Sequence, residues 1–223
     1  MSESEKTVAA IYSREQSEKL GKHIIKYFGE PSSIIKEDIP GDVCVDIYII
    51  EPNELSEAYT LLTVGAGALI MDIPDEYEHP VNSRRAEFLI RLPETWEFPD
   101  DLASMDESDE NWYWPVRWLK NIAKRPASFK TWLGWGHTVQ SEGGSFAENT
   151  GFCCMLVEMP HRFANGAFKA DIGEYEHVHF YQLLPLYREE MDYKLQNGTQ
   201  ALTELFGDDF SDIVDIDREN YCE

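Results

Sequence analysis

The sequence predicts a single α+β domain, with a mixed, largely antiparallel sheet flanked by helices. Hydrophobic residues make up 43% of the 223 residues, which is enough for a sizeable core. β-branched and aromatic runs of strand length recur along the chain, separated by turns that contain glycine or proline. Helical patterns do not alternate regularly with these runs, which favours a largely antiparallel sheet over a doubly wound parallel one.

The first half of the chain predicts one helix and three strands. Ser13 and Gln16 have the spacing of a capping box at the start of a helix over 13–28, and Gly29 follows its last residue. Three later runs rich in β-branched residues predict strands, over 43–50, 59–64 and 86–92.

A Gly-Ala-Gly sequence at 65–67 resembles part of a nucleotide-binding loop, but this interpretation fails. The third glycine of that motif is missing, and residues 68–71 continue as apolar chain instead of opening a helix. The two glycines therefore predict a bend or a bulge in a sheet.

Prolines set the expected boundaries in the second half. Pro115 suits the first turn of a helix from 111 to about 124, and Pro126 is expected to end it. Pro185 likewise suits the first residue of a helix that follows the apolar run beginning at His179. The segment 129–139 is expected to be extended, and 152–159 is expected to be a strand. The segment 164–175 is expected to be a loop.

The chain is strongly acidic, with 42 Asp and Glu against 19 Lys and Arg, a net charge of −23. This charge repels the phosphates of nucleic acid and of anionic lipid, so neither is an expected partner. The negative charge keeps the protein soluble, or it attracts a basic protein partner. Acids concentrate in an expected acidic loop over 94–111 and an acidic tail over 208–223.

A cytoplasmic location is expected. No apolar run approaches the ~20 residues that span a bilayer, and residues 1–6 have no features of an export signal. Cys44, Cys153, Cys154 and Cys222 show no disulfide-framework spacing, which suits a reducing compartment. The oligomeric state stays open.

Histidines offer the clearest candidate chemistry. His177 and His179 would share one face of a strand and could bind zinc, with His137 or His161 as a third ligand. A zinc-dependent hydrolase is therefore an alternative function. Cysteine or carboxylate ligands with suitable spacing are lacking, and no serine lies in a nucleophile elbow. Structural roles for the histidines are favoured, and no catalytic residue, metal site or cofactor is predicted.

Tryptophans are the candidate anchors for a protein partner, because aromatic side chains dominate interface energetics. Trp112, Trp114, Trp132 and Trp135 lie close in sequence to the acidic loop. Most of them are expected to fill the core.

Several segments together resemble the Suppressor of fused domain family, in its bacterial single-domain type. They occur in the family's order over about 40–207. They are 45–49, 59–65, 85–93 with Trp96, 114–119, 136–139 and 180–190.

The resemblance implies a non-catalytic protein-binding domain. Animal members of the family sequester a transcription factor by clamping an extended peptide, and bacterial members are associated with toxin systems as immunity proteins. In the animal member, the peptide contacts involve the region after the helix that corresponds to the one beginning near Trp114 here. With the aromatic argument, this predicts Trp132, Trp135, His137 and Thr138 as partner-binding residues. The leading hypothesis is an immunity protein for a cognate, basic toxin, and a structural adaptor subunit is a further alternative.

Overall fold

The computed structural model describes residues 9–37, 41–77, 83–99 and 109–222. Four α-helices lie within these ranges, α1 (Arg14–Tyr27), α2 (Glu110–Phe129), α3 (Arg188–Asn197) and α4 (Thr199–Phe206). The sheet strands are β1 (Ser33–Ile35), β2 (Asp46–Ile50), β3 (Tyr59–Val64), β4 (Ala86–Leu92), β5 (Thr138–Gln140), β6 (Cys154–Glu158), β7 (Lys169–Gly173) and β8 (Glu176–Leu186). The predicted α+β class is confirmed. None of the helices in the described ranges has the length and apolar character to cross a bilayer.

The sheet is mixed and largely antiparallel, as predicted. Its strands lie in the order β1-β2-β3-β4-β8-β6-β5, and β7 pairs with β8 outside this path. β4 and β8 run parallel, and the other strand pairs in the described ranges are antiparallel. β8 is the centre of the sheet, because it pairs with β4 along one edge and with β7 and then β6 along the other.

Alternate residues of β8 pack against different helices. Tyr181 joins the large cluster that includes the buried side of α2. On the opposite face, Phe180 packs in a cluster with α1, and Leu184 packs in a third cluster with α4. Gln182 lies between them on this face, since every second strand residue points the same way. A polar side chain therefore separates the α1 cluster from the α4 cluster.

Buried polar side chains cross the sheet at this boundary, and we call Arg91, Glu158, Gln182 and Asp212 the polar stripe. Gln182 lies opposite Glu158 in the pairing of β8 with β6. Its amide Nε2 donates a hydrogen bond to the carbonyl of Asp212 at 2.8 Å, and the carboxylate of Asp212 forms an ion pair with Arg91. Arg91, Glu158 and Gln182 are all buried. The polar stripe therefore lies on this face of the sheet between the area covered by α1 and the area covered by α4.

Most predicted elements are confirmed. The helix predicted over 13–28 has its capping box at Ser13 and Gln16, and the strands predicted over 59–64 and 86–92 have those bounds. The strands predicted over 43–50 and 152–159 begin later, as β2 and β6.

Pro185 does not begin a helix, so that prediction is wrong. It lies within β8, opposite Met155 of β6, and α3 begins at Arg188. The carbonyl of Pro185 accepts a hydrogen bond from Arg218 at 3.0 Å, on the side away from β6. A strand residue's N–H and C=O point to the same side, so the missing N–H removes no bond to β6.

Three other boundaries differ from prediction. α2 continues through Pro126, which loses only its own helical N–H bond, and it ends at Lys130 in the left-handed conformation. The segment 164–175, expected to be a loop, contains β7, whose short polar sequence gives little strand signal. The segment 129–139, expected to be extended, becomes a strand only at Thr138.

The Gly-Ala-Gly sequence surrounds an internal carboxylate, where a nucleotide-binding loop would hold a phosphate. The backbone N–H groups of Gly65 and Gly67 donate to Oε1 of Glu87 at 2.9 and 3.0 Å, and the hydroxyls of Tyr12 and Thr63 complete its shell. Burial raises the pKa of Glu87, although these hydrogen bonds act to lower it. The turn is a short 3₁₀ helix, whereas a bend or bulge within the sheet was predicted.

The C-terminal segment 208–222 is acidic, as predicted, but it packs against the domain. Its Ile213 forms a parallel bridge with β4, and Val214 is buried. Arg218 donates to both carboxylate oxygens of the buried Glu190 at 2.6 Å. The predicted acidic loop over 94–111 ends where α2 begins, and its residues 100–108 lie outside the described ranges.

Replacing Arg218 with alanine should strongly destabilise the domain, because it leaves the carboxylate of Glu190 buried without its partner. Removing one member of a buried ion pair costs on the order of 3–5 kcal/mol. The free energy of unfolding in urea measures this loss.

Arg14→Ala is the matched control, because the ion pair of Arg14 with Glu18 is exposed. An exposed helix pair contributes less than about 0.5 kcal/mol. Equal, small losses in both variants would show that the Arg218 contact does not hold the C-terminal segment in place.

Candidate functional site

The four residues predicted to contact a partner lie in one short segment that follows α2 and ends in the first residue of β5, and we call Trp132, Trp135, His137 and Thr138 the aromatic corner. Trp132 is half-buried, with its ring centroid 4.2 Å from that of His137 and 5.5 Å from that of Tyr77. Thr138 is the first residue of β5 and is half-buried. The structure brings the four residues together, and their role in binding stays a prediction.

A glycine turn sets the direction of Trp135. Gly136 has a φ of +79°, donates its N–H to the carbonyl of Val157 at 2.8 Å, and accepts from Nζ of Lys194 at 2.5 Å. A Cβ at this position would lie 2.9 Å from Oγ1 of Thr199. These contacts with β6, α3 and α4 fix the turn, and they leave the Trp135 side chain at the surface, 40% exposed.

Trp135 is joined to a buried acid of the polar stripe. Its indole Nε1–H donates to Oε1 of Glu158 at 2.5 Å, and the backbone N–H of Met159 donates to the same oxygen at 2.8 Å. Nε2 of His161 lies 3.4 Å from this oxygen. The other oxygen, Oε2, is buried and has no hydrogen-bond partner among the described residues.

A cavity of about 1110 Å³ opens beside this pair, and we call it the Glu158 cavity. Its walls mix apolar side chains with the polar stripe. Among the lining residues are Trp135, Glu158, Gln182, Leu184, Phe206 and Phe210. α4 and the C-terminal segment therefore form one side of the cavity, and the sheet forms the other.

Acids predominate among the charged side chains of the described residues that line the cavity. Within these residues there are four carboxylates against one arginine and one histidine. These are Glu76, Glu158, Asp208 and Asp212, with Arg162 and His161. The guanidinium of Arg162 donates to the carbonyl of Phe210 at 2.9 Å, so it is engaged in holding the C-terminal segment. The cavity therefore suits a positively charged group better than a negative one.

The histidines proposed as zinc ligands serve other contacts. His179 is buried, with its ring 4.2 Å from that of Phe168, and His177 lies 5.0 Å from it. His137 packs against Trp132 with the two rings tilted by 53°, and His161 pairs with Glu158. No group of three or more His, Cys, Asp or Glu side chains in the described ranges could hold a metal ion.

Local contacts shift the pKa values of these histidines in opposite directions. The hydrogen bond to Glu158 raises the pKa of His161, because the carboxylate favours the charged imidazole. Burial lowers the pKa of His137, and the nearby Lys194 lowers it further.

Sequence reasoning missed Glu158 and Gln182, and it considered His161 only as a zinc ligand. Gln182 interrupts an apolar run, and Glu158 ends another. A polar residue in a buried strand is the signal that could have identified both, although the register that pairs them is invisible in the sequence.

Comparison with known proteins identifies the family. The model of the Suppressor of fused protein (SUFU) family matches residues 41–219. This chain belongs to the Suppressor of fused family. The resemblance expected over about 40–207 is thus confirmed, and the match extends into the C-terminal segment. The family is one of non-catalytic protein-interaction domains.

Relatives extend over nearly the whole chain. The uncharacterized protein UU111 of Ureaplasma parvum serovar 3 is 28% identical over 214 residues, covering 94% of this chain and 97% of that protein. A SUFU homolog from Neisseria gonorrhoeae FA 1090 has a TM-score of 0.64 at 17% identity, covering 94% of this chain and 96% of that one. These two bacterial proteins therefore match this chain over nearly their full length.

Other SUFU structures share the fold. A chain from a Sufu–Fu complex has a TM-score of 0.61 at 13% identity, covering 96% of this chain and 93% of that one. Drosophila Suppressor of Fused has a TM-score of 0.58 at 13% identity, covering 92% of this chain. The present chain spans half the length of the Drosophila protein.

NMR titration should find the pKa of His161 above the ordinary histidine value of about 6.5 and that of His137 below it. In Glu158→Gln the pKa of His161 should fall toward the ordinary value, since the neutral amide no longer favours the charged ring. His137 should titrate unchanged in that variant. An unaltered His161 titration would show that the Glu158 contact does not exist in solution.

Proposed function

We propose that this chain is a cytoplasmic binding protein that captures a basic protein, specifically a cognate toxin domain, and neutralises it. The proposal rests on family membership, on the net charge of −23 and on the aromatic corner beside an acidic cavity. The cytoplasm suits four cysteines that are all free thiols.

Trp135 is the observation that carries the proposal. Of the four tryptophans considered as anchors, Trp114 is buried in the core and Trp112 and Trp132 are half-buried, whereas 40% of Trp135 is exposed. Its indole nitrogen is held by Glu158, so the ring is presented at a fixed angle with little rotamer freedom left. An ordered aromatic ring loses little entropy on binding, which is the property of an interface anchor.

Charge supplies the second part of the proposal. The chain carries more than twice as many acidic as basic residues, and acids outnumber basic side chains among the described residues that line the cavity beside Trp135. A basic partner would be drawn to this surface by electrostatic attraction before it makes short-range contacts. Capture of a positively charged toxin would need no catalytic group, in agreement with the non-catalytic family.

Trp135→Ala should weaken partner binding by about 30-fold, the effect of losing an interface anchor of roughly 2 kcal/mol. The assay is capture of a candidate toxin domain, taken from a toxin gene that neighbours the gene for this chain, with calorimetric measurement of Kd. The control is Phe129→Ala, since Phe129 is an exposed aromatic at the end of α2, outside the aromatic corner. Equal affinity of both variants would place the interface elsewhere, and failure of the parent protein to capture that domain would reject it as the partner.

The association rate should fall steeply with salt, because screening shortens the range of electrostatic attraction. We expect at least a tenfold drop in the rate constant between about 0.05 and 0.5 M NaCl. The dissociation rate should change much less. Stopped-flow measurement of intrinsic tryptophan fluorescence gives both rates. An association rate that does not depend on salt would contradict the electrostatic part of the proposal.

A further inference from the structure

Two hydrogen-bond acceptors of the polar stripe, both on residues that line the Glu158 cavity, lack a protein partner within the described ranges. Oε2 of Glu158 and Oε1 of Gln182 are both buried, and neither has a hydrogen-bond partner among the described residues. Native proteins satisfy nearly all such atoms, since leaving one unpaired costs free energy. Eight such side-chain atoms occur among the described residues, and these two belong to neighbouring residues that both line this cavity.

The other atoms of these two side chains are already engaged, so their orientation is fixed. Oε1 of Glu158 accepts from Trp135 and Met159, which leaves Oε2 as the atom without a partner. Nε2 of Gln182 donates to the carbonyl of Asp212, so the remaining atom of its amide is an acceptor.

The pairing of β6 with β8 places these two acceptors next to each other. Glu158 and Gln182 are directly opposite residues in antiparallel strands. Side chains in such pairs start about 5 Å apart and point to the same face. One ligand group with several donors can therefore reach both, and a positive charge on it would add to that of His161, whose Nε2 lies 3.4 Å from Oε1 of Glu158.

The apolar walls of the cavity favour a ligand whose charged group is carried on an apolar chain. Leu184, Phe206 and Phe210 line the same space, and Trp135 and Tyr77 contribute aromatic rings. Long basic side chains of proteins combine these features, because their methylene groups pack on apolar surface while the charged head makes hydrogen bonds. The guanidinium of arginine has five donors, so one group can bond both acceptors.

We propose that the Glu158 cavity is a socket for an arginine side chain of the partner protein, whose guanidinium donates to Glu158 and Gln182. This inference rests on the proposed function, because it assumes that the bound molecule is a protein. It names the group of the basic partner that this surface recognises, and it makes Glu158 the residue that determines specificity.

Glu158→Gln is a conservative variant for the test. The new side chain keeps an oxygen for Trp135 and Met159 and places an amide donor where Oε2 lies. That donor faces the acceptor of Gln182, so the variant should fold and melt at a temperature no lower than that of the parent. Glu142→Gln is the matched control, since it removes the same charge from an exposed position.

The probe is a blocked peptide with one central arginine flanked by alanines, added to ¹⁵N-labelled protein. Citrulline in place of arginine gives a neutral peptide of the same shape. The indole N–H signal of Trp135 reports binding, because its acceptor is Glu158. Peptide concentrations up to about 10 mM detect a Kd in the millimolar range.

The arginine peptide should shift the Trp135 signal saturably in the parent and in Glu142→Gln. It should bind Glu158→Gln at least tenfold more weakly, and the citrulline peptide should bind the parent at least tenfold more weakly. Equal binding of the two peptides, equal binding by Glu158→Gln, or no shift with arginine would each overturn the socket. The comparison of peptides on the parent protein decides the question even if Glu158→Gln fails to fold.

The partner assay separates this inference from the proposed function. Capture of the toxin domain without any response to the arginine peptide would overturn the socket and leave the proposed function intact. A specific response to arginine without capture of the toxin domain would support the socket and reject that partner.

Discussion

The antiparallel pairing of β6 with β8 is the constraint on which the candidate binding surface depends. It brings Glu158 opposite Gln182 at the point where the α1 cluster ends and the α4 cluster begins. The same strand, β6, anchors the turn before β5, from which Trp135 reaches back to Glu158. One register thus fixes the buried acid, the exposed indole and the side wall of the cavity. A shift by one residue would exchange the faces of β6 and remove all three.

The polar stripe illustrates how stability and binding compete in this domain. The carboxylate of Glu87 has four donors around it, and that of Glu190 is satisfied by Arg218 and two backbone N–H groups. Glu158 is equally buried, yet one of its oxygens lacks a partner within the described ranges. Buried acids in the same domain therefore differ in how many of their carboxylate oxygens have hydrogen-bond donors from the protein. Two of the eight buried side-chain atoms that lack a hydrogen-bond partner within the described ranges belong to residues that line the cavity, as expected for a surface adapted to a ligand.

Local patterns predicted the elements better than they predicted the site. The capping box of α1 and the bounds of β3 and β4 follow from short-range signals that neighbouring structure does not override. Pro185 misled because the tolerance of a strand for proline depends on which side needs the N–H, and the sequence does not show that side. Pro126 misled because a proline near the end of a helix can remove one N–H bond without ending the helix. The cavity depends on strand register and on the packing of the C-terminal segment, which are long-range properties. The family resemblance predicted the aromatic corner, and physical patterns alone offered only its tryptophans.

Hydrogen exchange measured on the chain alone and in complex with the protein it captures tests the central claim, that this domain holds a partner protein at one surface. The account predicts slower amide exchange in residues 132–138, in 158–162 and along α4, with little change in α1 and β1. Protection confined to α1, β1 or β2, with unchanged exchange at 132–138, would contradict it.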